Sequence, residues 1–228
     1  KDLLPQRIGS YRTDVIEVGK LHFLQERTAR IRPAQPGLSI GHYQVSAGTF
    51  GALVRDRKNR KPLILSNNHV LANITNGSDG RARKDDPILQ PGTYDNGHNP
   101  ADIIGYLERF VPLYPGESAA ECRIALAVER MANYFIQLIR PDYKFRLFKE
   151  GRSNLVDCAV ARPVSGEIIS GEILGIGRVK GIAEPKLDME VQKSGRTTGV
   201  TRGKIVAVAA TVNVSMNEYE TATFEDQF

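Results

Sequence analysis

From residue 39 onward the apolar positions fall in short runs, each cut off by glycine or by polar, turn-forming residues. "SIGHYQVSAGTFGALVRD" sets this β texture. "FGALVRD" and "PLILSNN" then flank a basic turn and predict a hairpin. A polar loop, "NGSDGRARKDDP", leads to a strand in "DIIGYLERFVPL", and "SNLVDCAVARP" carries a short alternating strand. Farther on, "EIISGEILGIGRV" and "MEVQKSGRTTGVTRGKIVAVAATVNVS" predict a second β block. Its two long β-branched runs sit either side of a Gly/Thr-rich turn. Gly195, Gly199 and Gly203 suit the tight geometry of a β-barrel corner. Ahead of this texture, "TDVIEVGKLHFL" predicts a strand and "RPAQPG" a break.

One segment changes period. In "ESAAECRIALAVERMANYFIQLIRP", Ile124, Val128, Met131, Phe135 and Leu138 follow one another at steps of four and three, the stripe of a helix. Ser118 and Glu121 form a capping-box pattern at its start, and Pro141 after Arg140 stops it. A helix over residues 118–140 is therefore expected, with Met131 and the aromatic residues facing a core. Two β-rich blocks around one helix predict a bipartite architecture: a lead-in over 1–36, a first block over 37–165 and a second over 166–228.

Composition adds bounds rather than direction. The 228 residues are 41% hydrophobic and 25% charged, ordinary for a globular chain. No apolar run reaches the length of a membrane-spanning helix, and no membrane partner is expected. The N-terminus lacks both a signal-peptide pattern and an initiator Met, which predicts a longer parent and leaves the compartment open. A net charge of +5 raises an acidic partner such as nucleic acid. The densest basic stretch, Arg55 to Lys61, reads as a solvated hairpin tip without interleaved aromatic residues, so no nucleic-acid partner is expected. Cys122 and Cys158 lack CxxC spacing and read as free, partly buried thiols rather than zinc ligands. "YDNGHNPAD" (94–102) reads as a surface loop rather than a metal site. "LGIGRV" lacks the helix and acidic residue of a phosphate loop. No cofactor is expected.

Candidate chemistry centres on "ILSNNHVLA", where His69 follows an apolar run. Imidazole has the side-chain pKa closest to neutrality, and a carboxylate on its Nδ1 would fix its tautomer for general-base work. Asp157, just ahead of the alternating "CAVA", and Asp102 in "PADII" both open strands and compete for that role.

At this point the sequence resembles the trypsin- and chymotrypsin-like serine peptidases. "ILSNNHVLA" is similar to their "LTAAHC" segment, "NLVDCAVARP" to "DIALL", and "VQKSGRTTGVTRGKI" to "GWGxTxxG", in the family's order. "PGLSIGHYQVSAGTFGALV", "SNNHVLA", "DPILQPG" and "KSGRTTGVTRGKI" look like a bacterial branch of that family, over residues 33–228. The resemblance implies an all-β fold of two antiparallel six-stranded chymotrypsin-like barrels, the second incomplete here, with the helical insertion near 118–140. It implies a serine endopeptidase forming an acyl-enzyme, with His69 as base and Asp157 as its orienter, acting on protein or peptide substrates.

Three departures qualify the match. Asn67 and Asn68 replace small alanines, Val70 replaces a cysteine, and His69 and Asp157 stand 88 positions apart. The larger departure is that the Gly-Asp-Ser-Gly nucleophile motif does not occur in residues 1–228. Ser194 has a glycine after it but none two before; Ser66 and Ser153 lack a donor pocket; and Asp157 would raise the thiol pKa of Cys158. The family pattern places the motif shortly after Phe228, and a C-terminal fragment completing the second barrel is an expected partner. These residues alone are expected to be inactive. The alternative is a catalytically inactive binding or regulatory module on the same scaffold.

Overall fold

The structure, a computed structural model, describes residues 27–45, 47–116, 118–119, 122–149, 151–216 and 221–228. It also gives the backbone of a two-strand ribbon, β1 (Arg7–Ile8) and β2 (Tyr11–Arg12). The strand expected within 13–24 lies outside the described residues.

Most of the regular structure is β. β3 (Ser39–His42), β4 (Gly48–Thr49), β5 (Ala52–Arg55) and β6 (Pro62–Ser66) come first, then the one-turn helix α1 (Asn68–Leu71). β7 (Pro87–Leu89) and β8 (Ile103–Phe110) follow. β9 (Ser118–Ala119), α2 (Arg123–Ile139) and β10 (Phe148–Lys149) make a separate arm before β11 (Ala159–Pro163). Three hairpins complete the chain: β12 (Glu172–Ile173) with β13 (Gly177–Arg178), β14 (Glu190–Gly195) with β15 (Gly199–Lys204), and β16 (Ala210–Ser215) with β17 (Thr221–Gln227).

Seven strands join in one antiparallel sheet of order β4-β3-β7-β8-β11-β6-β5. Its two edges, β4 and β5, are separated in sequence only by Phe50 and Gly51. Phe50 donates its N–H to Leu38 O (2.8 Å) and Gly51 donates to Leu65 O (3.0 Å). One bent stretch of chain thus closes both ends, and the sheet curls. Register breaks at Ile88/Leu89 and Val160/Ala161 add the local bend that such curling needs. Inside lie Ile40, Phe50, Ile64, Ile88, Ile104 and Leu107, all fully buried. Ala159 and Ala161 alternate inward along β11, and their small side chains leave room for the larger ones facing them.

The β5–β6 hairpin forms where the sequence predicts it, with its basic tip exposed. Buried Asp56 organises that tip by accepting hydrogen bonds from Lys58 N, Asn59 N and Arg109.

Several expectations are corrected. The helix begins at Arg123 rather than 118. Ser118 belongs to β9, Glu121 lies outside the described residues, and the cap is Cys122, whose sulfur accepts from Ala125 N. Nor does α2 pack on the curled sheet: it contains no buried residue, and Met131 and Phe135 are exposed. Its polar side, not its apolar stripe, is engaged by the returning chain. Asn133 exchanges hydrogen bonds with Phe145, and Glu129 accepts from Leu147 N. The run "IVAVAATVNVS" is not one strand, since Ala209 takes a positive φ of 53° just ahead of β16. "LGIGRV" is the β12–β13 turn, where Gly175 and Gly177 both have positive φ. Both cysteines are free as expected, but Cys122 is exposed rather than partly buried.

Candidate functional site

His69 stands in α1 at the end of β6, so the expected strand end is in fact a single helical turn. That turn is fixed from both sides. Val70 and Leu71 enter the core, and Gly48 in β4 leaves space for Val70, whose Cγ2 lies 2.3 Å from where a Cβ would stand. Any side chain at position 48 would push α1 away. Ser66, the last residue of β6, donates its hydroxyl to Thr49 O (2.7 Å), tying the strand end to β4.

The structure brings His69 and Asp157 together across 88 positions. His69 Nδ1 is hydrogen-bonded to Asp157 Oδ2. A carboxylate can only accept, so Nδ1 carries a proton, and in the neutral imidazole the lone pair is left on Nε2. The other carboxylate oxygen, Oδ1, accepts from Asn68 N (2.6 Å) and, more weakly, His69 N (3.4 Å). Asp157 is therefore held by the N-terminal turn that carries the histidine. The Asp157 side chain is 14% exposed and that of His69 47%, so the carboxylate is sheltered while the imidazole reaches solvent.

The two asparagines, unexplained in the sequence, have defined work. Asn67 donates its side-chain amide to Asp157 O (3.1 Å). Asn68, fully buried, donates to Thr75 O (3.0 Å) and Val111 O (2.7 Å), pinning α1 to the loops on either side. Its Oδ1 has no hydrogen-bond partner among the described residues. The only sequence signal was polarity where small apolar residues were expected.

The competing residues lie elsewhere. Asp102 is paired with Arg30 (2.8 Å) and accepts from His98 N (2.9 Å). Ser194 Oγ donates to Leu174 O (2.6 Å) and accepts from Arg27 (2.6 Å). Ser66 is engaged with Thr49 O, and Ser153 is exposed in the loop before Asn154. Burial, and then the Asp157 charge, push the Cys158 thiol above its ordinary value, so its thiolate is scarce. None of these groups is bonded to His69.

A second His–Asp pair shows what a structural pair looks like. His42 is fully buried, its Nε2 is 3.0 Å from Asp86 Oδ2, and Gln44 N donates to its Nδ1 (3.3 Å). Both ring nitrogens are occupied there, whereas His69 presents one. In the 94–102 loop, Asp95 is paired with Arg196 and Asp102 with Arg30; among the described residues no cluster of three His, Cys, Asp or Glu side chains could hold a metal. A cleft of about 670 Å³ opens between the later hairpins, lined by residues including Val191, Ile205 and Phe228, and neither His69 nor Asp157 borders it.

Compared with known proteins, the chain matches no family model and no curated protein.

Proposed function

We propose that this chain carries the base and orienter of a trypsin-like serine endopeptidase. The observation that carries the reading is the His69–Asp157 pair, with Nδ1 on the carboxylate, the carboxylate fixed by α1 amides, and the imidazole half-exposed with no hydrogen bond to Nε2 among the described residues. The curled sheet supports a chymotrypsin-like first barrel, six-stranded once β4 and β5 are taken as one bent strand. The three later hairpins are then part of a second barrel. In this reading Nε2 takes the proton of a serine hydroxyl as that oxygen attacks the scissile carbonyl, and then gives it to the leaving amine. Water hydrolyses the acyl-enzyme by the same proton path. Asp157 stays ionised and stabilises the imidazolium. The nucleophile in this reading is a serine outside residues 1–228, because the Gly-Asp-Ser-Gly motif does not occur in them and no serine side chain described here is bonded to His69.

The test is fluorophosphonate labelling and casein hydrolysis by the product of the complete coding sequence, beside its His69→Ala variant and residues 1–228 alone. Labelling and hydrolysis by the full product, with hydrolysis about 10⁶-fold lower in the variant, is the expected result. Hydrolysis indifferent to His69→Ala would sink the reading. So would activity of residues 1–228 alone. A folded full product that never labels would leave the inactive binding module in its place.

A further inference from the structure

We propose that α2 and its returning chain form an arm that lies on the surface of anionic lipid bilayers. The apolar stripe at steps of four and three faces outward: Ile124 is 77% exposed, Phe135 58% and Leu138 68%. The opposite side is already occupied by the returning chain through Asn133 and Glu129. No residue of the stripe is buried, and the returning chain adds the exposed rings of Tyr143 and Phe148.

Charge selects the occupant. Between Cys122 and Arg152 the sequence has seven basic residues against three acidic, so this arm carries +4 of the chain's +5. Arg123 and Arg130, seven residues apart, line one side of the stripe and are exposed, as is Arg140 at the end of the helix. An outward apolar face bordered by arginines and aromatic rings matches the interfacial plane of a bilayer, where side chains enter the acyl boundary and cations meet anionic headgroups. A second copy would instead set one strongly positive arm against another. The helix is about 25 Å long, and no described helix is long and apolar enough to cross a membrane. The arm would lie on the surface rather than span, which revises the expectation of no membrane partner.

The experiment is sedimentation of the 228-residue chain with vesicles of phosphatidylcholine alone or with one-third phosphatidylserine. Binding to the anionic vesicles only, weakened by salt, is expected. R130Q with R140Q should lower partitioning about 30-fold, and F135D with L138D should abolish it. All four positions are exposed, so unchanged thermal unfolding is the check that the variants remain folded. No binding to anionic vesicles, equal binding to both kinds, or unchanged binding by F135D with L138D overturns the proposal. A concentration-dependent dimer that ignores vesicles and dissociates with F135D and L138D overturns it in favour of self-association.

Discussion

Asn68 holds two jobs in separate parts of one residue: its backbone N–H anchors Asp157, and its side chain ties α1 to Val111 and Thr75. Asn68→Ala keeps the first and loses the second. Thr75 O still accepts from Leu113 N (3.0 Å), so the Val111 carbonyl bears most of the loss. The expected cost is about 2 kcal/mol, read by chemical denaturation, with α1 still presenting His69. Asp157→Asn acts on the chemistry instead. The amide can donate to Nδ1 and stabilise the wrong tautomer, and hydrolysis by the full product should fall about 10⁴-fold. The pairing of His69 with Asp157 was legible through the order of the segments that resemble the peptidase family, because strand context alone left Asp102 as an equal competitor. Asn68 was not, because its partners Thr75, Val111 and Asp157 stand 7, 43 and 89 residues away. Nothing local reports a hydrogen bond of that reach.

At the scale of elements, strands that pair inside the curled sheet were the readable ones. Their alternation follows a buried face, and their ends coincide with turn residues. The run into β16 reads as longer than the strand it forms, because β-branched composition says nothing about the positive φ at Ala209, and the strand begins only at Ala210. The start of α2 was missed for a related reason: cysteine is an unusual cap, and Ser118 was drawn into pairing with Lys149. What joins elements is also hidden from sequence. Arg196, in the β14–β15 turn, grips Asp95 through both terminal and inner guanidinium nitrogens and donates its backbone N–H to Thr49 Oγ1 (3.0 Å). Arg196→Ala should destabilise by about 2 kcal/mol, because it strands a sheltered carboxylate while the exposed part of the arginine contributes little. Thermal unfolding checks this, and Arg196→Lys should restore only part, since a point charge does not reproduce the planar fork.

Across the whole molecule the apolar contacts divide unequally. One large cluster fills the curled sheet, and a small one joins Leu113, Ala222 and Phe224 beneath β17. The β14–β15 hairpin is attached mainly by polar links, Arg196 to Asp95 and Arg27 to Ser194. Such a molecule should open in parts, and acid should show the order. At Asp95 burial alone would raise the carboxyl, but hydrogen bonds from Arg196 and Ser39 outweigh it and hold it below the ordinary value. At Asp56 the hydrogen bond from Arg109, helped by the N–H groups of Asn59 and Lys58, lowers the carboxyl to about 2. Both folded values are depressed, so the stability from each is present above the unfolded carboxyl range, near 3.9, and is lost as pH falls through the folded value. Protonating Asp95 releases a link between the β14–β15 hairpin and the sheet, whereas protonating Asp56 loosens only the β5–β6 tip, so the hairpin should open first. Hydrogen exchange, corrected for intrinsic rates, should show amides of 190–204 losing protection as pH falls below the ordinary carboxyl value of about 3.9, while those of β6, β8 and β11 hold. In Arg196→Ala the hairpin should exchange freely at neutral pH already and gain nothing further from acid. Loss of protection in hairpin and sheet together would mean that the tether is not the weak joint, and that the two β blocks unfold as one.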